Sequence, residues 1–176
     1  MSGTDPVAPA FIAGYGPLPG DFNGWVQAPF AFLTSKIVFR AEHHSSTSLP
    51  ASANTLIKFD TVLEDPYSGW SSGAGTWTCP AGCSGWYGVT MTATGSNPGN
   101  ATSVISALIA LNGTVVQSMS SEWSADGHSS GAAGSYPVSL YGGQDAISGW
   151  IYTSTAVSTP TTNGQWPTME ICWISL

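Results

Sequence analysis

Charged side chains are scarce in this chain of 176 residues. Only 7% of its residues are Asp, Glu, Lys or Arg, whereas about 25% is ordinary for a soluble domain. Three basic residues, Lys36, Arg40 and Lys58, stand against ten acidic ones. Three cations cannot form a basic patch, which excludes direct nucleic-acid binding and a polybasic contact with a membrane. Either Ser, Thr, Gly and Asn cover the surface, or much of it is buried against other subunits, and we favour the second interpretation.

Long apolar runs are missing as well. No segment approaches the roughly 18 consecutive apolar residues of a membrane span, and Met1–Pro6 show no positively charged region followed by an apolar one. We therefore expect no signal peptide, no membrane insertion, and synthesis in a cytoplasm. Hydrophobic residues still make up 42% of the chain, and eight are tryptophans, so one domain with a packed core is expected.

Cysteine is rare, and its odd count of three argues against a full disulfide framework. Cys79 and Cys83 are close enough in sequence for a bridge around a tight turn, but two free thiols near such a turn are the favoured interpretation. Cys172 lies near the end of the chain. These three with a distant histidine do not have the spacing of a zinc site.

Sets of residues that would define an enzyme are absent. There is no Gly-x-Ser-x-Gly motif, and serine is too abundant for its co-occurrence with His and Asp to carry information. The three histidines, His43, His44 and His128, lie in polar stretches and are interpreted as solvated loop residues. Carboxylates that could bind calcium or cleave glycosides are better explained as loop residues of an acidic protein. The calcium candidates are Glu64, Asp65, Asp126 and Asp145. We expect a protein that is not an enzyme and has no metal and no cofactor.

The N-terminal region is rich in proline, glycine and aromatic residues. Proline at this density blocks helices and sheet ladders, yet a flexible linker would not carry so many aromatic side chains. We therefore predict that residues 1–35 form an extended arm that buries aromatic anchors against the protein's own domain, a sister subunit or a larger particle. The predicted anchors are Phe11, Tyr15, Phe22, Trp25, Phe30 and Phe32.

Residues 36–176 follow a pattern of strands and turns. In Trp86–Thr94, apolar residues at alternate positions share one face and threonines share the other, which predicts a half-buried strand. In Val104–Leu111 both faces are apolar, with Val104 and Leu108 on one of them. Asn112-Gly113 is a strong hairpin signal after this strand. With about eight short strands and no convincing helix, the pattern predicts a sandwich or jelly roll.

Several motifs, in this order, resemble those of the C1q/TNF-like domain. They are Leu56–Thr61, Gly75–Pro80 followed by Gly85–Val89, Ile109–Thr114, Ser139–Asp145 followed by Ile147, and Ile171–Leu176. In the last motif Trp173 replaces the usual small residue. The resemblance covers about residues 36–176 and implies an all-β, two-sheet jelly roll that is usually assembled as a compact trimer. The strand with two apolar faces fits a trimer, because one face packs the core and the other a neighbour. The candidate trimer interface is Val104, Leu108, Trp150 and Trp173.

The N-terminal portion is similar in style to short structural proteins of actinobacterial phages. Asp21–Val26, Phe30 and the later segment Ala53–Asp60 carry this likeness. It implies a virion structural protein, exposed on the particle and attached by its arm to the tail, as a minor tail protein that can contact the host. The alternative is a capsid decoration protein on the head. Expected partners are further copies of the chain and other virion proteins.

A second alternative is a carbohydrate-binding module. Three tryptophans lie in loops rich in Gly, Ser or Pro, where aromatic rings can anchor an interface or stack on the sugars of a host surface glycan. These candidate loop contacts are Trp70, Trp123 and Trp166.

Overall fold

The computed structural model describes residues 37–96, 103–123, 131–161 and 165–175. Every regular element within these ranges is a β-strand, which confirms the all-β prediction. In this part of the chain there is no helix long and apolar enough to cross a membrane. The strands are β1 (Ile37–Glu42), β2 (Ser48–Leu49), β3 (Ala53–Leu56), β4 (Thr61–Glu64), β5 (Trp70–Ser71), β6 (Thr76–Thr78), β7 (Gly85–Thr94), β8 (Ser103–Leu111), β9 (Thr114–Trp123), β10 (Gly131–Leu140), β11 (Ala146–Thr153), β12 (Val157–Ser158) and β13 (Thr168–Ser175).

Two antiparallel sheets contain most of these strands. The first sheet has the order β10-β7-β13-β1-β4, and the second has the order β5-β6-β11-β8-β9, with β3 also paired to β11. A short ladder joins β12 to β2. The chain alternates between the two sheets, so that β1 pairs with β13 and β8 pairs with β11. This topology confirms the predicted two-sheet jelly roll.

The alternation predicted for β7 is confirmed. Tyr87, Val89, Met91 and Ala93 are fully buried, while the threonines between them are half-buried on the opposite face of the sheet. Because strand side chains alternate between the two faces, these four residues supply one row of the core. Burial of a large apolar side chain contributes about 1.5–3 kcal/mol, so this row fixes which face of the first sheet points inward.

The two apolar faces predicted for β8 are also confirmed. Ile105 and Ile109 are almost fully buried on the core face. On the other face Leu108 is only 5% exposed and Ala110 is fully buried. Both faces of β8 are thus largely buried, and a strand buried on both faces carries apolar residues in a near-continuous run.

The Asn112-Gly113 turn confirms the predicted hairpin between β8 and β9. Both residues adopt the left-handed region, with φ of 51° and 79°, as a type I′ turn requires. The Asn112 side chain donates to Asp145 Oδ1 (2.8 Å) and accepts from the N–H of Ala146 (2.9 Å). Asp145 Oδ2 accepts from the N–H of Tyr141 (2.7 Å). Two of the motifs behind the family resemblance therefore form one hydrogen-bonded corner.

Candidate functional site

Some predicted contact residues lie outside the part of the chain that the structure describes. The arm and all six of its predicted anchors do so: Phe11, Tyr15, Phe22, Trp25, Phe30 and Phe32. Trp123 ends β9 with its Cα opposite Ser103, but its side chain is outside the described part as well. For these residues the sequence-based roles stay predictions.

The four residues of the candidate trimer interface do not form one surface. Leu108 lies directly opposite Trp150 across the β8–β11 ladder, and Val104 lies four residues earlier on the same face. Trp173 is in β13 of the other sheet, opposite Tyr87. Leu108 is already buried within a single chain. On this face of the second sheet, the half-buried Val104 and Trp150 are therefore the predicted interface residues that remain accessible to a neighbouring subunit.

Trp70 packs inside an aromatic cluster. Its ring stacks on Phe39, with centroids 5.1 Å apart, and meets Phe59 edge-on at 5.9 Å. Trp77, fully buried, lies beside the same Phe39 and beside Tyr87. The Gly/Ser-rich neighbours of Trp70 indicated a loop, but the residue forms β5 and pairs with Trp77 in β6. The structure therefore gives Trp70 a packing role.

The expectation that the histidines are solvated is wrong for His43. This residue follows the last residue of β1 and is only 3% exposed. Its ring is enclosed by Lys58 and Thr47, with which it makes hydrogen bonds. Its Nδ1 lies 3.0 Å from the carbonyl oxygen of Lys58 and so must donate there, which leaves Nε2 to accept from the Thr47 hydroxyl at 2.8 Å. His44 is half-buried, with its Nε2 2.8 Å from Glu42 Oε2. Both rings are therefore held in place by neighbours.

Asp60 organises the backbone beside the two histidines. Its carboxylate accepts hydrogen bonds from the N–H groups of His44 and Ser45, each 2.8 Å long. Partial burial raises the pKa of this carboxyl group, but the hydrogen bonds of Ser45 and His44 outweigh burial and lower the pKa to about 2. Asp60 is therefore ionised near neutral pH and stabilises the turn after β1.

Of the four acidic residues considered for calcium, Asp65 and Asp145 have structural partners, and Asp126 lies outside the described part. Asp65 accepts from the N–H groups of Gly69 and Trp70 at 3.0 and 2.9 Å. Asp145 is bound to Asn112, as described above, and Asp126 is not among the described residues. Within the described ranges, no three His, Cys, Asp or Glu residues are grouped as metal ligands would be.

Cys79 and Cys83 are free thiols, which decides between the two alternatives left open by their spacing. The Cys79 thiol lies 3.3 Å from the carbonyl oxygen of Cys83, and Tyr87 donates its hydroxyl hydrogen to the same oxygen. Burial raises the pKa of both thiols. A raised pKa lowers the thiolate fraction and so disfavours a nucleophilic role.

The outer face of the first sheet carries no charge over β7 and β10. At one end of this face Trp86 and Ile174 are 47% and 53% exposed. Gly88 lies between them, and a Cβ there would be 3.5 Å from Ile174. The nearest charges on the face are Arg40 and Glu170, which form an ion pair of 3.9 Å between β1 and β13. We call this end of the face, defined by Trp86, Gly88 and Ile174, the apolar end.

Exposed apolar side chains also lie on β9, the edge strand of the second sheet. Val115 and Met119 are 41% and 43% exposed. Met119 lies against β10, the edge strand of the first sheet, where a Cβ on Gly134 would be 3.2 Å from its Cγ. We call the pair Val115 and Met119 the β9 edge. Val115 lies opposite Ala110 on the outer side of the second sheet, and Met119 lies opposite Ala107 on its core side. The β9 edge therefore consists of two exposed apolar side chains on one edge strand, separate from the apolar end.

A groove of about 450 Å³ lies at the opposite end of the first sheet from Trp86. Thr92 and Thr94 of β7, Ala133 of β10, Thr168 of β13 and Trp166 line it. Trp166 lies two residues before β13, and its ring packs on His44 at a tilt of 31°, with centroids 3.7 Å apart. We call this the Trp166 groove. Of the three predicted loop tryptophans, Trp166 is the one that the structure places at the rim of a concave surface.

Sequence reasoning did not single out the outer face of the first sheet. The sequence of β7 does mark this face, because threonines occupy every second position of the strand. In the structure these threonines are half-buried. The groove had no comparable signal. Its residues come from three strands and one loop that are far apart in sequence and meet only through the pairing of β10, β7 and β13.

This arrangement of two antiparallel sheets defines a C1q/TNF-like jelly roll, and comparison with solved structures shows the same fold. The globular domain of zebrafish complement 1qA protein superimposes with a TM-score of 0.52 and 14% identity, over 77% of this chain and 95% of the other. Murine APRIL gives a TM-score of 0.56 and 11% identity, over 78% and 98%. The vertex protein P5 of the phage PRD1 gives 0.57 and 14%, over 80% and 99%.

No protein-family model and no curated protein sequence matches the chain. The likeness to solved structures therefore establishes the fold, and the function has to be argued from the surface.

Proposed function

We propose that this protein is a phage virion structural subunit that binds further copies of itself and is attached to the particle by its N-terminal arm. The observation that carries the proposal is the outer face of the first sheet, which has no charged residue in β7 or β10 and exposes Trp86 and Ile174 at its apolar end. Tryptophan is enriched at interface hot spots. Exposed apolar surface combined with 7% charged residues is unfavourable for a free monomer and favourable for an assembled subunit.

Two separate apolar surfaces favour a ring of subunits. A head-to-tail ring buries two different patches, one from each of two neighbouring copies. The apolar end and the β9 edge are two such patches, on the first and the second sheet respectively. In the proposed trimer the apolar end of one copy covers the β9 edge of the next. Covering β9 also protects an edge strand whose outer backbone groups are otherwise unpaired.

The shared fold with the PRD1 vertex protein supports a place on a virion. We propose that the subunit is a minor tail protein exposed on the particle, and keep the capsid decoration protein as the alternative. Three arms on one trimer would strengthen attachment through multivalency, whichever site they occupy. The thiols with raised pKa and the structural roles of Asp65 and Asp145 support a binding protein rather than an enzyme.

Electron microscopy of purified particles tests the placement. Gold-labelled antibodies raised against residues 36–176 should bind intact virions, and the proposal expects labelling on the tail. Labelling on the head would replace the tail assignment with the decoration protein. Antibodies that detect the protein in infected cells but never on purified particles would contradict the virion role itself.

A further inference from the structure

The Trp166 groove has the properties of a small-molecule site. Its volume of about 450 Å³ falls within the range of about 300–1,000 Å³ that is usual for ligand pockets. Small residues, including Gly131 and Ala133, form part of its lining and leave room for a ligand. Trp166 adds one aromatic ring. None of the eight described residues that line the groove is charged.

The hydroxyl groups in the groove are oriented by the protein. Thr92 Oγ1 accepts from the N–H of Thr168 at 2.9 Å and lies 2.8 Å from the hydroxyl of the same residue. Thr94 donates its hydroxyl hydrogen to the carbonyl oxygen of Gln165 at 2.6 Å. A hydroxyl offers one donor and two acceptor positions. Each of these three threonines therefore keeps capacity for a ligand after its internal bond is made.

The indole ring of Trp166 is held by packing. It packs on His44, whose imidazole is bound to Glu42. The Trp166 indole Nε1 is buried and has no hydrogen-bond partner among the described residues. The ring therefore presents a rigid apolar surface to the groove, and the hydroxyl groups supply the polar contacts.

We propose that the Trp166 groove binds a neutral sugar residue of a glycan. The apolar C–H face of a sugar ring packs on an indole, and the sugar hydroxyls exchange hydrogen bonds with threonine hydroxyls. A neutral sugar is favoured over an acidic one because none of the described lining residues is a cation and the chain carries a net charge of −7.

A second copy of the chain is a poorer occupant of this groove. Of the strongly exposed large apolar residues of the first sheet, Trp86 and Ile174 lie at the other end of the sheet, and Val62 and Leu63 lie in β4, at the sheet edge opposite β10. Thr94 lies eight positions after Trp86 along β7, which is about 26 Å at the rise of a strand. The sugar site is therefore separate from the apolar end, while its β10 side, at Ala133, adjoins Gly134, against which Met119 of the β9 edge lies. Sugar binding and assembly are measured by different experiments, so either proposal can fail without the other.

Titration of the ¹⁵N-labelled full chain with three neutral tetrasaccharides, cellotetraose, maltotetraose and chitotetraose, tests the proposal. At millimolar concentration at least one should shift the backbone amide signals of Thr92, Gly131 and Thr168, while 3′-sialyllactose, an acidic control, should not. Replacement of the ring by Trp166→Ala should weaken binding about tenfold, the size expected for one lost stacking contact. Tyr141→Ala, an exposed aromatic residue outside the groove and outside both apolar surfaces, is the matched control and should bind as the wild type does.

Ala133→Leu provides a second variant that keeps Trp166 and fills the groove from an exposed position of β10. It should abolish the shifts while the rest of the amide spectrum stays folded. The proposal is overturned if none of the three neutral tetrasaccharides shifts these signals, if both groove variants bind as tightly as the wild type, or if the shifts occur at the apolar end instead.

Discussion

The positions of individual side chains in this fold are fixed by hydrogen bonds that local sequence does not predict. His43 lies in a stretch of polar residues, His43–Ser48, yet its ring is buried and both of its nitrogen atoms have partners. Its burial depends on Lys58, which is fifteen positions away in the chain. Polar composition alone predicts a loop, and cannot show that one ring of that loop is turned inward.

Asp60 should make the free energy of unfolding depend on pH. Its pKa is lowered to about 2 in the folded chain, below about 3.9 in an unfolded one. The carboxylate therefore stabilises the fold above about pH 4, and this contribution is lost as the pH falls towards 2. We expect Asp60→Asn to cost about 1 kcal/mol near neutral pH, a value reduced for solvent screening of a partly exposed group.

Urea unfolding at several pH values measures this effect. The difference in unfolding free energy between the wild type and Asp60→Asn should shrink as the pH falls from 4 to about 2. Asp60→Glu keeps the charge and serves as the control for shape. A constant difference across the range would show that the hydrogen bonds of Asp60 do not depend on its charge.

At the scale of strands and turns, local pattern predicted most of the architecture. The alternation in β7 and the Asn112-Gly113 turn are encoded within a few residues, so both were predictable. Trp70 was not, because its Gly/Ser-rich surroundings indicated a loop while its ring packs against Phe39 in a distant strand. Long-range pairing also decides which residues line the Trp166 groove. Local sequence therefore predicts the elements, and topology decides the surfaces.

Gly142 is expected to be essential to the turn between β10 and β11. A Cβ at this position would lie 2.4 Å from the carbonyl oxygen of Pro80 and 2.9 Å from the backbone nitrogen of Cys83, and these backbone atoms cannot move aside easily. Gly142→Ala should therefore destabilise the protein by about 1–3 kcal/mol. Gly73→Ala, where nothing lies within 4 Å of the added Cβ, is the matched control.

Thermal unfolding of the two alanine variants distinguishes local crowding from a general loss of glycine flexibility. The Gly142 variant should melt several degrees below the wild type, and the Gly73 variant at or slightly above it. Equal melting temperatures for the two variants would be inconsistent with the close approach of Gly142 to Pro80.

The core face of β8 should contribute far more to stability than the opposite face. Ile109 is 1% exposed within the sandwich, so Ile109→Ala should cost about 2–5 kcal/mol. Val104, on the opposite face, is half-buried, and Val104→Ala should cost less than about 1 kcal/mol in the isolated chain. Chemical denaturation of both variants measures the difference. Similar losses would show that the outer face of β8 is packed as tightly as the core face.

At the scale of the whole molecule, low charge and exposed apolar residues have one common explanation. The chain has little charge to keep a monomer soluble, and it exposes apolar groups on strands of both sheets, among them Trp86 and Ile174 in the first and Met119 in the second. A ring in which these surfaces cover each other accounts for both facts. The jelly roll shared with complement 1qA protein, APRIL and the PRD1 vertex protein provides the scaffold.

Multi-angle light scattering of the purified chain, coupled to size exclusion, tests the proposed self-assembly most directly. The wild type should elute with three times the protomer mass of 18.2 kDa. The double variant Trp86→Ser, Ile174→Ser should elute as a monomer with an unchanged circular dichroism spectrum, whereas Tyr141→Ser, another exposed aromatic residue outside both surfaces, should remain trimeric. A wild-type chain that is monomeric at all concentrations would contradict the proposed assembly.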